Sequence, residues 1–122
     1  MKVLVDTSVW VAHFKRHEPA LIALLERDQV VMHPMVLAEI ACGTPPAPRA
    51  RTLADLALLQ SGRQASLDEI MALIEQRQLY GLGCGLVDMA ILAATLITPG
   101  TRLWTLDKRL AALAEHAGLA YQ

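Results

Sequence analysis

Two short apolar runs each end on an acid, and that pairing constrains this chain more than any other feature. Val3-Leu4-Val5 runs into Asp6, and Leu103-Trp104-Thr105-Leu106 runs into Asp107. A short run without polar alternation has the pattern of a parallel strand buried on both faces. Val30 to Met32 has the same character. Between these runs the apolar spacing becomes helical. Strands alternating with helices predict an α/β fold, a three-layer α/β/α arrangement around a short-stranded, mainly parallel central sheet. Ligands in such sheets bind beyond the carboxyl ends of the strands. Asp6 and Asp107 both stand at such an end, so acids from distant parts of the chain are expected to meet at one edge.

The segments between carry start and stop signals. Thr7 or Ser8 is placed to cap a helix through Trp10 to Phe14. Glu18 to Arg27 repeats Leu21, Leu24 and Leu25 at helical spacing. Pro34 suits the first turn of a helix ending near Cys42, with Gly43 as its stop. Arg49 to Gln60 and Ser66 to Gln78 read as helices, the second opened by a Ser66–Glu69 capping box. Gly81, Gly83 and Gly85 lead into a helix from Leu86 to Ile97, and Pro99-Gly100 ends it. Thr101 to Leu106 reads as a strand, Lys108 to Ala117 as a helix, and Leu119 to Tyr121 as a last short strand. Thr44 to Pro48 is the one Pro-rich stretch and is too short to separate domains, so residues 1–122 are expected to form one domain.

Glu39 and Asp88 lie inside the apolar helical stretches. A carboxylate is expensive to hold against apolar groups unless something compensates it. Glu39, among Met35, Val36, Leu37 and Ile40, is expected on or near the buried stripe of its helix. Asp88 follows Gly85 by three residues, in a first turn whose dipole favours a carboxylate. Singly, each acid has an ordinary reading as a cap, a dipole partner or a solvated residue. As a set with strand-end placement they point to a hard divalent cation, Mg²⁺ or Mn²⁺, which takes oxygen ligands. Such a cation activates water and neutralises charge on a phosphoryl group, so phosphodiester hydrolysis is the expected reaction. Neither GxSxG nor GxxxxGK[ST] is present, which leaves acyl transfer and P-loop nucleotide hydrolysis without support.

Composition narrows the partners. Hydrophobic residues make up 54% of the 122, above the usual ~45–50%, and mean hydropathy is +0.36. That excess predicts a homodimer or a constant partner. No apolar run approaches the ~20 residues of a membrane span. The chain opens directly on a strand-like segment with no room for a signal peptide, so a cytoplasmic location is expected. A net charge of −1 rules out a global basic field. Nucleic acid would have to be held by local cations, with Lys15, Arg16, Lys108 and Arg109 as candidates, or by a metal. Cys42 and Cys84 lack zinc-like spacing and read as reduced, half-buried packing residues. His13, His33 and His116 read as surface or capping residues, and Trp10 and Trp104 as core. The alternating glycines resemble a phosphate loop, but Asp88 would repel a bare phosphate, so they read as a flexible approach to the site.

Four stretches resemble a known family. Leu4-Val5-Asp6-Thr7-Ser8-Val9-Trp10, Leu37-Ala38-Glu39-Ile40, Gly85-Leu86-Val87-Asp88-Met89-Ala90 and Trp104-Thr105-Leu106-Asp107-Lys108-Arg109 look like the acidic motifs of the PIN domain. More narrowly, they are similar to those of the VapC toxins of bacterial type II toxin–antitoxin systems. The motifs stand in family order and span almost the whole chain. The resemblance implies a Mg²⁺- or Mn²⁺-dependent endoribonuclease held inactive by a small VapB-type antitoxin. It implies catalytic, metal-binding roles for Asp6, Glu39, Asp88 and Asp107, with Thr7 or Ser8 assisting through a hydroxyl. Some members carry a further acid or Asn near the last motif, and none is clearly placed here. An antitoxin segment is expected across the helices near Trp10 and Leu21, presenting a basic side chain to the acids. Two alternatives compete. A phospho-acceptor receiver domain would need adjacent acids after the first strand and an Asp at a middle strand, and Asp6 is followed by Thr7. A non-catalytic binding module would have no use for four intact acids.

Overall fold

The first apolar run becomes the middle of the sheet. In the computed structural model, which describes residues 1–122, β1 (Lys2–Val5) lies between β2 (Val30–Val31) and β3 (Thr101–Trp104). All pairings are parallel, with Val3 opposite Val30 on one side and Leu4 opposite Leu103 on the other. Neighbouring strand residues point to opposite faces. Val3, Leu4 and Val5 are all buried, so both faces of the sheet are covered. Seven helices do this: α1 (Thr7–Lys15), α2 (Pro19–Glu26), α3 (Pro34–Cys42), α4 (Arg49–Ala57), α5 (Leu67–Gln76), α6 (Leu86–Ile97) and α7 (Lys108–His116). None is long and apolar enough to cross a membrane.

The core centres on α6, which is buried from Met89 through Thr95 and packs on β3, α3 and α5. Full burial of a side chain such as Ile91 stabilises the fold by about 1.5–3 kcal/mol. Thr95 is tolerated there because its hydroxyl donates to the Ile91 carbonyl at 2.7 Å. The Ser66–Glu69 capping box is formed. Gly43 follows α3 as its C-cap. His33 caps the start of α3, its Nδ1 accepting the Met35 N–H at 3.0 Å, but it is buried rather than on the surface.

Several boundaries differ from the sequence expectation, each for a tertiary reason. The Arg49 helix stops at Ala57. Leu58 and Leu59 tighten it with bonds to Asp55 and Leu56, and the Gln60 carbonyl instead accepts from Met32 N–H at 2.8 Å. Strand β3 ends at Trp104, leaving Thr105 and Leu106 in the bend that leads to α7. The expected last strand is reduced to one bridge, Ala120 to Leu103. Thr7 and Ser8 do not cap α1. They are its first residues, Asp6 holds the cap position without a side-chain cap bond, and the two hydroxyls point elsewhere.

Candidate active site

Because β1 is central, the chain leaves it toward β2 on one side and later returns to β3 on the other. The crevice at such a switch point opens at the carboxyl end of the strands. Asp6 stands there, 6% exposed. Its Oδ2 accepts two hydroxyl protons, from Ser8 at 2.7 Å and from Thr105 at 2.7 Å. Its N–H donates to the Trp104 carbonyl at 2.9 Å, which ties it to the end of β3. Its Oδ1 has no protein donor and keeps some contact with solvent.

The other three acids follow the same pattern. Asp107 caps α7, its Oδ1 accepting from the N–H groups of Arg109 and Leu110 at 2.9 and 3.0 Å. Asp88 accepts the Gly85 N–H on Oδ2 at 3.1 Å. That is half of a capping box, since Gly85 has no side chain to complete it. Glu39 Oε1 accepts from the Thr7 hydroxyl at 2.5 Å. In each acid one carboxylate oxygen is held by a protein donor and the other is left open.

Asp88 feels the charge of Asp6 and Asp107. The Asp88 carboxyl is held above the ordinary aspartate range, first by burial, against the Gly85 N–H bond, and further by the charges of Asp6 and Asp107. The expected benefit of the helix N-terminus is thus outweighed by desolvation and like charge. Cys84 reports the same field. Its thiol is pushed up by burial and then by Asp88 and Asp107, with Arg109 opposing.

Two side chains sit elsewhere than expected. Glu39 is exposed rather than on the buried stripe. Val36 and Ile40, four residues apart, take that stripe, and Glu39 falls beside it, within reach of Thr7. Cys42, at the end of the same helix, is also exposed, whereas Cys84 is half-buried as expected.

No three of the acidic, histidine or cysteine side chains close into a ready-made metal cage. The donor set nonetheless suits one type of ion. Mg²⁺-like cations take one or two carboxylates and keep several waters. An edge that offers single open oxygens from separate acids fits a hydrated hard cation and not a desolvated one.

Cations lie at two distances. Lys108 and Arg109 open α7 beside Asp107. Arg109 folds over the glycine loop, where a Cβ on Gly83 would meet its guanidinium at 2.6 Å, and Gly83 has φ +88°. That loop is therefore a seat for Arg109 more than a flexible approach. Lys15 and Arg16 lie at the far end of α1, about 13 Å along the axis from Asp6. Lys15 lines a cleft of about 450 Å³ with Val11, Phe14, Glu39 and Pro45. Trp10 and Leu21, expected to meet a partner, are 2% and 0% exposed and belong to the core. Val11 and Phe14 face the cleft in their place.

One site residue escaped the sequence reading. Thr105 passed for an ordinary strand residue, yet its hydroxyl bonds Asp6. The available signal was a hydroxyl two residues before an acid at a strand end, a pattern that favours local side-chain to backbone bonding.

Comparison with known proteins agrees with this geometry. A family model described as "PIN domain" matches residues 3–116. Two curated relatives, each called "Ribonuclease VapC32" and from Mycobacterium tuberculosis strains CDC 1551 / Oshkosh and ATCC 25618 / H37Rv, are 39% identical over 118 residues, covering 97% of this chain and 94% of theirs. A three-stranded parallel sheet between helices, acids gathered at its carboxyl edge and a family match over nearly the whole length lead to one assignment: the chain belongs to the PIN-domain family, in its VapC-type ribonuclease branch.

Proposed function

We propose that this protein is the toxin of a type II toxin–antitoxin system, a Mg²⁺- or Mn²⁺-dependent endoribonuclease acting as one domain over residues 1–122. The observation that carries this reading is the repeated pattern of one held and one open oxygen at Asp6, Glu39, Asp88 and Asp107. Those four acids would hold the hydrated cation, one or two of them directly and the others through its waters. A divalent cation bound there supplies water activation and charge neutralisation on the phosphodiester. Ser8 holds Asp6, and Thr7 holds Glu39. Lys108 and Arg109 meet the RNA phosphates beside the acids, and Lys15 and Arg16 meet them further along the strand, an electrostatic contribution that weakens with salt. The relatives' name, ribonuclease, supports RNA as the substrate. A VapB-type antitoxin covers the α1–α3 cleft, a homodimer covers part of the remaining apolar surface, and the protein works in the cytoplasm.

The test is direct. Purified protein with Mn²⁺ or Mg²⁺ should cut RNA at a few single-stranded positions, and EDTA should stop it. Asp6→Asn and Asp88→Asn should each lose at least about a hundredfold in rate, on the order of 2.7 kcal/mol in the barrier. Full activity in both variants, with contaminating nuclease excluded, rejects the reading. Expression of the chain alone should arrest growth and co-expression with its antitoxin should relieve the arrest.

A further inference from the structure

Thr105 and Ser8 each carry a single hydroxyl proton, and both protons go to the same atom. Thr105 Oγ1 accepts the Asp107 N–H at 3.0 Å and donates to Asp6 Oδ2 at 2.7 Å. Ser8 Oγ accepts the Leu106 N–H at 3.0 Å and donates to the same Oδ2 at 2.7 Å. The two hydroxyl oxygens are 3.4 Å apart. An ionised carboxylate oxygen only accepts, so both hydroxyls are the donors to Oδ2. Two donors on Oδ2 fix the plane of the carboxylate. They also tie it to residues 105–107, the bend that carries Asp107 into α7.

We propose that Thr105 is a positioning residue. It and Ser8 clamp Oδ2 of Asp6, so that Oδ1 is the oxygen presented to a divalent cation, and they lock that oxygen to the backbone carrying Asp107. This rests on the metal-dependent reading above. Without Thr105, one donor remains on Oδ2, the carboxylate can rotate about its Cβ–Cγ bond, and Asp107 loses the hydroxyl that receives its N–H. Hydrogen bonds behind a ligating group commonly alter metal affinity 10- to 100-fold when removed.

The experiment is a Mn²⁺ titration followed by thermal melting, with no RNA present, on wild type, Thr105→Val and Thr105→Ser. Wild type should melt higher as Mn²⁺ rises. Thr105→Val should need about tenfold more Mn²⁺ for half of the shift, and Thr105→Ser, which keeps the hydroxyl, should stay within about twofold of wild type. In RNA cleavage at saturating Mn²⁺, Thr105→Val should recover most of its rate. A lower melting point without cation but an unchanged half-saturating Mn²⁺ would make Thr105 merely structural and overturn the proposal. Should Thr105→Val not fold, Thr105→Ala carries the same comparison with the same two outcomes. If wild type itself shows no Mn²⁺ shift, the metal-dependent reading fails, which is a distinct result.

Discussion

Asp6 and Glu39 arrive at one edge under different mechanical conditions. Asp6 is buried, bonded through its backbone to β3 and through Oδ2 to two hydroxyls. Glu39 is exposed on α3 and held by the Thr7 hydroxyl. The β1–β3 edge is a rigid frame backed by the buried face of α6, and its difficulty is crowded negative charge. The α3 rim is an arm whose placement depends on its helix, and that helix starts on a buried histidine cap. The two regions should therefore differ in tolerance to truncation and respond to pH with opposite sign.

Truncation gives the largest expected contrast. Ile91→Ala, behind the edge, should lower unfolding free energy by about 2–5 kcal/mol. Val11→Ala, on the cleft side and 40% exposed, should stay within about 0.5 kcal/mol. Urea melts read both, and equal losses would erase the distinction between frame and rim.

Next comes the histidine cap. His33→Ala should cost about 0.5–2 kcal/mol at neutral pH, the usual range for a lost N-cap. Burial lowers the folded-state pKa of His33, so the unfolded chain takes up the proton first. Stability is then complete above the ordinary histidine value of ~6.5 and is lost as pH falls through that value toward the lower folded one. His33→Asn keeps an acceptor for Met35 N–H and removes the titration. Its melting point should fall less on acidification than that of wild type. The remaining slope includes His13, which burial and His17 also lower. Identical acid limbs in the two proteins would remove His33 as the source.

Asp88 should show the reverse. Its folded pKa is raised, so the folded chain holds the proton more tightly than the unfolded chain. Stability is lost as pH rises from the unfolded carboxylate value of ~3.9 through the raised folded value, and it stays lower at neutral pH. Without divalent cation, Asp88→Asn should melt slightly above wild type at pH 7, and the gap should close in acid. The Asn carbonyl can still accept the Gly85 N–H. With Mn²⁺ present, the variant should gain less than wild type. An Asn variant melting below wild type at pH 7 would show that neither burial nor the neighbouring aspartates disfavour the Asp88 charge.

The smallest effect is in the thiols. The thiolate is the reactive form. Cys42 is exposed at the rim, while burial and the nearby aspartates push Cys84 up. Alkylation followed by mass spectrometry should label Cys42 well before Cys84. Labelling in the other order would contradict the acidic field drawn around Asp88 and Asp107.

Much of the fold was legible because its signals are local. The all-apolar runs became a parallel sheet, Leu86 to Ile97 became α6 over the expected residues, and Ser66 with Glu69 formed its box. The four candidate acids stood out as carboxylates beside apolar runs, and the fold places Asp6 and Asp107 at the ends of β1 and β3. The exposure of Glu39 was not legible, since Val36, Leu37 and Ile40, of nearly equal hydropathy, do not say which of them takes the core side. Nor was the end of α4, which depends on Gln60 meeting Met32 across 28 residues of chain.

What the sequence determined by itself was the alternation of strand and helix, the central buried run and the choice of candidate acids, all carried by periodicity and by the few residues that start or stop an element. What only the tertiary structure decided was which oxygen of each acid is held and which is open. Thr105 reaches Asp6 across 99 residues and Thr7 reaches Glu39 across 32. A hydroxyl adds nothing to a hydropathy pattern, and the partner that receives its proton exists only once β3 lies beside β1 and α3 beside α1.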